Sequence, residues 1–291
     1  MFLVNTRKRN KDKTFGHEKM PKGRYAVYEF KKASEGKEAK EKALEDIPTD
    51  KDTLLLIHGF NNDFDQVAGA YLDFEKRIRD VGFQGNVISF TWPSYGEWYQ
   101  YFGDKEQVEY AAPALVKFLQ KFRPRLGQNA LHVNTHSMGT YLLFRALASY
   151  PGSSPVIGEF ACFAADVSND VLEQGEIGFR AARKIKRLTS YFNRHDPVLG
   201  ASAFANVDGR LGLNGADQPD LLPENAFQVD CSTLIEGHSD YRKNADVMQD
   251  LTAVLDGNAS DQIGGRTETG ENNTFRIGPE PEEDDSVGDN E

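Results

Sequence analysis

The chain has 291 residues, two cysteines and a formal net charge of −11 at pH 7, a length that accommodates one large α/β domain or two small ones. The acidic balance argues against a nucleic-acid binder, which needs a basic face, and two cysteines imply no disulfide framework. No apolar run reaches signal-peptide or membrane-span length, so a cytoplasmic protein with no membrane span is expected.

In chain order, Phe2–Asn5 and Tyr25–Phe30 predict two edge strands, the second alternating apolar and polar. Arg7, Lys8, Arg9, Lys11 and Lys13 between them read as a solvated basic loop. Residues 31–52 are rich in Lys, Glu and Ala, a connector expected to be helical over Glu38–Leu44. Thr53–Ile57 is a continuous apolar strand, the pattern of a parallel sheet covered on both faces. Gln66–Arg79 follows as an amphipathic helix, with Val67, Ala70, Tyr71, Phe74 and Ile78 on one side.

Val87–Phe90 is the next strand and Glu106–Phe122 the next helix, which Pro113 is expected to kink or shorten. Strand Leu131–Thr135 then runs into helix Met138–Tyr150. Phe160–Ala164, Leu188–Phe192 and Phe227–Cys231 complete the strands, and Asp240–Leu255 is the closing helix. Cys162 and Cys231 fall in strands and read as small buried hydrophobes. Such alternation predicts an α/β fold: a doubly wound, mostly parallel sheet with helices on both faces. Its active site is expected beyond the carboxyl ends of the strands. One domain over 1–256 is expected. Residues 257–291 carry ten acidic and two basic side chains without periodicity, and read as a disordered acidic tail.

The most informative run is Thr135-His136-Ser137-Met138-Gly139, between a strand and a helix. So few residues allow only a sharp turn, which presents the Ser137 hydroxyl at the positive end of the following helix. The pattern is G-x-S-x-G with Thr135 in place of the first glycine. A serine hydroxyl needs a base, usually a histidine oriented by a carboxylate.

Six histidines compete for that role. His17 lies in a loop before the sheet, His132 is expected to pack against a helix, and His136 to pack at the turn. His58 ends the first core strand. His238, between the last strand and last helix, is the expected base, and His195 a loop residue. Asp196, in Asn193-Arg194-His195-Asp196-Pro197, is the favoured acid, on a loop that Pro197 stiffens; Asp166 is its competitor.

Two backbone N–H groups are expected at the oxyanion: that of Met138, and that of Phe60 in the loop His58-Gly59-Phe60, where Gly59 permits close approach. Trp92 and Tyr95, with Trp98, Tyr99, Tyr101 and Phe102, crowd the loop after Phe90. They are candidates for a substrate wall, or else pack that loop onto the domain. No metal-ligand spacing and no phosphate-loop motif is present, so no metal or cofactor is expected.

Four blocks occur in order: Leu55-Leu56-Ile57-His58-Gly59-Phe60-Asn61-Asn62, Phe90-Thr91-Trp92-Pro93-Ser94-Tyr95-Gly96, Thr135-His136-Ser137-Met138-Gly139, and Tyr191-Phe192-Asn193-Arg194-His195-Asp196. Together they resemble the α/β-hydrolase superfamily and, within it, the bacterial family DUF900 of uncharacterised function. Phe2-Leu3-Val4-Asn5-Thr6-Arg7 is similar to that family's opening strand. The resemblance spans residues 1–256. It implies an α/β-hydrolase fold and a Ser137–Asp196–His238 triad, without a substrate. The expectation is a serine hydrolase acting on a small-molecule ester or thioester through an acyl-enzyme. The alternatives are a catalytically silent binding or scaffolding module, or an acyltransferase using the same residues.

Overall fold

A computed structural model describes residues 1–31, 38–60, 63–94 and 101–280, excepting the side chains of 101–105. The chain opens with β1 (Phe2–Asn5), β2 (Arg7–Arg9), β3 (Phe15–Lys19), β4 (Ala26–Glu29) and β5 (Lys40–Lys42). The central repeat is β6 (Thr53–Ile57), α1 (Phe64–Asp80), β7 (Asn86–Thr91), α2 (Tyr101–Phe122), β8 (Leu131–His136) and α3 (Gly139–Ala148). Then come β9 (Ile157–Phe163), α4 (Ile177–Ala182), β10 (Ile185–Phe192), α5 (Pro197–Asn206) and α6 (Leu211–Asn214). The chain closes with β11 (Ala226–Asp230), α7 (Ala245–Leu255), β12 (Arg266–Glu268) and β13 (Thr274–Ile277).

Among the described residues one sheet has eleven strands, ordered β12-β13-β11-β10-β9-β8-β6-β7-β1-β4-β5. From β13 to β1 every neighbouring pair is parallel; only β12, β4 and β5 add antiparallel rims. β2 and β3 form a separate hairpin. The alternation of side chains along β6 assigns the two layers. Leu55 and Ile57 pack with the apolar faces of α2 and α3, whereas Leu54 and Leu56 pack with Val67, Tyr71 and Phe74 of α1 and Val247 and Leu251 of α7. Each such buried side chain contributes roughly 1.5–3 kcal/mol.

This topology creates the site. From β6 the chain leaves over one face through α1, whereas from β8, its neighbour, it leaves over the other face through α3. Diverging exits open a crevice at the strand carboxyl ends, the usual ligand position in such sheets.

Several expectations are corrected. β1 and β4 lie inside the sheet and β5 forms the rim, because Lys40–Lys42 pairs with Val27–Glu29 instead of continuing a helix. Arg7 is not solvated: its side chain is buried and its Nε donates to Thr91 Oγ1 at 3.0 Å. His17 lies in β3 rather than in a loop. His132 meets a strand rather than a helix, its Nδ1 accepting the Glu159 N–H at 3.0 Å. α2 runs unbroken through Pro113, since buried Ala112, Ala114 and Leu115 hold the helix against the core despite the lost backbone bond. Cys162 and Cys231 are both fully buried, Cys162 within β9 and Cys231 directly after β11 rather than in it.

The largest correction concerns the tail. The chain after residue 256 continues into β12 and β13, and Arg266 of β12 reaches the interior. Its guanidinium, 1% exposed, forms two bonds to Asp250 of α7, at 2.6 and 2.8 Å. Asp250 in turn accepts the Tyr191 hydroxyl at 2.6 Å. A charge this deep persists because its partners are in place. Residues 281–291 of the expected acidic tail lie outside the described residues.

Candidate active site

The β8–α3 turn is strained and braced. Ser137 has φ +53°, a left-handed conformation that is expensive for any residue with a Cβ. It is held by its own N–H bonding the Phe163 carbonyl at 2.9 Å, and by Thr140 N–H bonding the Ser137 carbonyl at 3.0 Å. Gly139 is dictated by the neighbouring strand: a Cβ there would lie 2.6 Å from the His58 carbonyl oxygen and 2.8 Å from that of Ile57. Thr135, standing where the superfamily pattern has glycine, is fully buried and its hydroxyl pairs with that of Thr140 at 2.8 Å. The branched side chain therefore fits by bonding across the turn it would otherwise crowd.

The β6–α1 loop presses onto this turn. A Cβ on Gly59 would sit 2.7 Å from Ser137 Cβ and 2.8 Å from the His136 carbonyl. The loop's shape is fixed by His58. Its ring bonds the Gly59 carbonyl at 2.7 Å through Nδ1 and accepts the Trp92 N–H at 3.2 Å through Nε2. Those partners require the neutral ring with its proton on Nδ1. Burial, then the nearby Arg7 charge, hold its pKa well below the ordinary 6.5. His58 N–H also donates to the Tyr71 hydroxyl at 2.8 Å, which donates to the Phe90 carbonyl at 2.6 Å.

Across the crevice, Asp196 is the N-cap of α5, with Pro197 at the first helical position. Pro197 thus begins a helix instead of stiffening a loop. Asp196 Oδ1 accepts the N–H groups of Val198 and Leu199 at 3.0 and 3.1 Å. Its Oδ2 accepts from His238 Nδ1 at 2.7 Å. Burial works to raise this carboxyl, but the His238 bond and charge and the two helix N–H groups outweigh it and leave it below its ordinary value. The competitor Asp166 bonds Ser202 at 2.7 Å and pairs with Arg210 at 3.4 Å. His195 is exposed, its N–H bonding Asn193 Oδ1 at 2.9 Å.

Ser137, His238, Gly59 and Phe60 line one cavity of about 1020 Å³ above the sheet's carboxyl edge. Met138 sits directly before α3 as its N-cap, so its amide belongs to the helix's positive end. Trp92 is not a wall of this cavity. It is fully buried, stacked on His58 with centroids 5.3 Å apart, and its Nε1 donates to the His58 carbonyl at 3.0 Å. Tyr95, Trp98 and Tyr99, and the side chains of Tyr101 and Phe102, lie outside the described residues.

Two supporting residues escape a reading of the sequence. His136 donates from Nε2 to the His238 carbonyl at 2.8 Å, and the two rings meet edge-on with centroids 4.7 Å apart. Burial first, and the adjacent His238 second, push its pKa down to about 3, so the ring is neutral. Asn193 donates to the Ile235 carbonyl at 2.8 Å, fixing the loop that leads to His238. Both partners are backbone carbonyls remote in sequence, 102 and 42 residues away, which no local pattern announces. Among the described residues no cluster of His, Cys, Asp and Glu could hold a metal ion, and no helix is long and apolar enough to cross a membrane.

A mostly parallel sheet wound on both faces, with a strained serine turn and a carboxylate-bound histidine lining one cavity at its carboxyl edge, is the architecture of an α/β hydrolase. The family model described as alpha/beta hydrolase of unknown function (DUF900) matches residues 35–253, and the chain belongs to that family. Comparison with curated proteins finds no match.

Solved structures similar to it include a carboxylesterase of Bacillus subtilis, at 9% identity over 81% of this chain and 88% of that one, TM-score 0.39. An esterase B of Lactobacillus rhamnosis, solved with a tributyrin phosphonate, gives 11% identity over 81% and 83%, TM-score 0.37. A 2,6-dihydroxy-pseudo-oxynicotine hydrolase gives 12% identity over 75% of this chain, TM-score 0.37; the chain spans only 62% of that protein's length. The family match carries the assignment.

Proposed function

We propose that the protein is a serine hydrolase that cleaves a carboxylic ester or thioester through an acyl-enzyme. The observation that carries this reading is the 2.7 Å bond from His238 Nδ1 to a buried carboxylate, on a histidine that shares a cavity with Ser137. With its Nδ1 proton committed to Asp196, His238 has Nε2 free of a proton and able to accept one.

In the first step Ser137 Oγ bonds the substrate carbonyl carbon while its proton passes to His238 Nε2. The tetrahedral oxyanion is received by the backbone N–H groups of Phe60 and Met138. Collapse breaks the bond to the leaving alcohol or thiol, which takes the proton from His238. Water then attacks the acyl-enzyme, gives a proton to the same nitrogen, and the serine regains it as the acid departs. Asp196 stays ionised throughout and stabilises the transient imidazolium. Apart from the attacking water, every group these steps use belongs to the chain.

Treatment with a fluorophosphonate probe tests the reading. Native protein is expected to label at Ser137 and Ser137→Ala not at all, with ester turnover falling by roughly 10⁴-fold or more. Native protein that stays unlabelled, or labelling that survives Ser137→Ala, overturns it.

A further inference from the structure

The cavity is far larger than the reacting atoms require. Ser137 lies between two helices in the sheet order: α1 leaves the strand on one side of β8, and α5 leaves β10 on the other. α5 lines the cavity with Ala201 and Ala205, and α1 with Gly69 and Ala70 beside the larger Tyr71 and Phe74. Ala201 and Ala205 are solvent-exposed, so they border the cleft rather than the core. The small side chains of α5 leave a slot between it and the rings of α1. α5 also carries no charged residue from Pro197 to Asn206, and its Val198 and Phe204 are 49% and 89% exposed, extending the apolar surface outward from the slot.

The charges within the cavity narrow the ligand further. Asp65, Asp73 and Asp166 line it, and the one guanidinium among its described lining residues, Arg242, is engaged by Asp73 at 3.4 Å. Asp73 is shared with Arg77 and Asp166 is paired with Arg210, so the described lining offers a carboxylate or phosphate no unengaged guanidinium to bind. The space, about 1020 Å³, is at the upper end for sites that hold drug-sized ligands, and an acetyl group would leave most of it empty.

We propose that the α1–α5 slot binds the unbranched acyl chain of an uncharged ester, eight carbons or longer, and that Ala201 and Ala205 set the chain length. The orientation of the chain, carbonyl at Ser137 and tail along α5, rests on the serine-hydrolase reading. Each methylene drawn from water into the slot strengthens binding roughly fourfold. Multiply anionic acyl carriers such as acyl-coenzyme A find no unengaged guanidinium among the described lining residues.

Hydrolysis of p-nitrophenyl esters from acetate to myristate tests the slot. In native protein kcat/KM for the octanoate should exceed that for the acetate by at least about tenfold, far less than the six extra methylenes would give if fully buried. In Ala201→Trp and Ala205→Trp that ratio should fall by about tenfold or more. Both positions are exposed helix sites, so the variants should keep the native thermal midpoint.

Binding of N-dansyl-dodecylamine, a neutral long-chain probe, is read by its fluorescence in native protein and in Ser137→Ala, independently of catalysis. It should bind both about equally, bind Ala201→Trp about tenfold more weakly, and be displaced by dodecyl acetate more readily than by dodecyl phosphate. Robust fluorophosphonate labelling with a flat or inverted chain-length series overturns the slot and leaves the hydrolase standing. Probe binding that Ala201→Trp weakens, in a protein that does not label, overturns the hydrolase and leaves the slot. Dodecyl phosphate displacing the probe as well as dodecyl acetate overturns the assignment of an uncharged ligand.

Discussion

The two halves of the candidate site are built by different means. The nucleophile half is local: within Thr135–Thr140 lie the strained serine, the glycine that clears the His58 carbonyl, and the hydroxyl pair that spans the turn. The acid–base half is assembled from a distance. Asp196 and His238 are 42 residues apart and meet only because α5 and the loop after β11 both return to the same edge. The first half tolerates nothing larger than hydrogen at Gly59 and Gly139; the second depends on hydrogen-bond partners. Sterics therefore specify one side of the crevice and polar satisfaction the other.

Asp196→Asn should break the second half with the largest effect. Oδ1 receives two helix N–H groups, so the amide oxygen must take that place and the NH₂ must face His238. A donor there forces the imidazole proton onto Nε2, and the ring can no longer accept from Ser137. A fall in kcat of roughly 10³–10⁴-fold is expected, with folding nearly unchanged because the helix cap survives. Steady-state kinetics alongside a thermal melt measure both. A variant that keeps a tenth of native turnover would show that this carboxylate does not orient the base.

His136 links the two halves, since it belongs to the serine strand yet holds the His238 carbonyl. His136→Phe keeps the ring but loses the donor, and should lower kcat about tenfold to a hundredfold with a smaller change in KM. His136→Gln, which restores a donor, should recover part of the loss. The same ring has a pH signature. The folded state holds it neutral down to about 3, whereas in the unfolded chain it protonates near 6.5. The unfolded state therefore takes up the proton first. The ring's contribution to stability is complete above pH 6.5 and is lost as pH falls towards 3. Urea unfolding across that window should show a shallower acid slope in His136→Phe; an unchanged slope would mean the native ring titrates normally.

The same division explains what the sequence revealed. Leu54, Leu55 and Leu56 announce a strand buried on both faces, and Thr135–Gly139 announces a sharp turn, because in each case the cause lies within a few neighbouring residues. The order serine, acid, histidine then points to Asp196 and His238. What stayed hidden has its cause in contacts from afar. Arg7-Lys8-Arg9 reads as a solvated loop until Thr91 is seen bonding Arg7. Lys40–Lys42 has helix-forming composition, yet the edge of β4 captures it as a strand. Arg266–Glu268 is polar and only three residues long, and nothing near it predicts a buried partner at Asp250. Trp92 reads as a loop aromatic beside a site, and only its stack on His58 and its bond to the His58 carbonyl turn it inward. Local sterics leave a readable trace; distant hydrogen bonds do not.

Thr135 offers the finest probe of the nucleophile half. Its hydroxyl and that of Thr140 satisfy one another in a fully buried position, so Thr135→Val preserves shape while leaving one hydroxyl without its partner. The expected cost is about 1–2 kcal/mol in unfolding free energy. Activity should fall far less than in Asp196→Asn, because Gly139 and the Ser137 backbone bonds still define the turn. The double variant Thr135→Val with Thr140→Val removes both hydroxyls, and should recover part of the lost stability if the pair acts only as a mutual partner. Losses that simply add in the double variant would mean the two threonines are not coupled. The turn would then be held by backbone and glycine alone, and the threonine at position 135 would be a passive occupant of the space a glycine leaves.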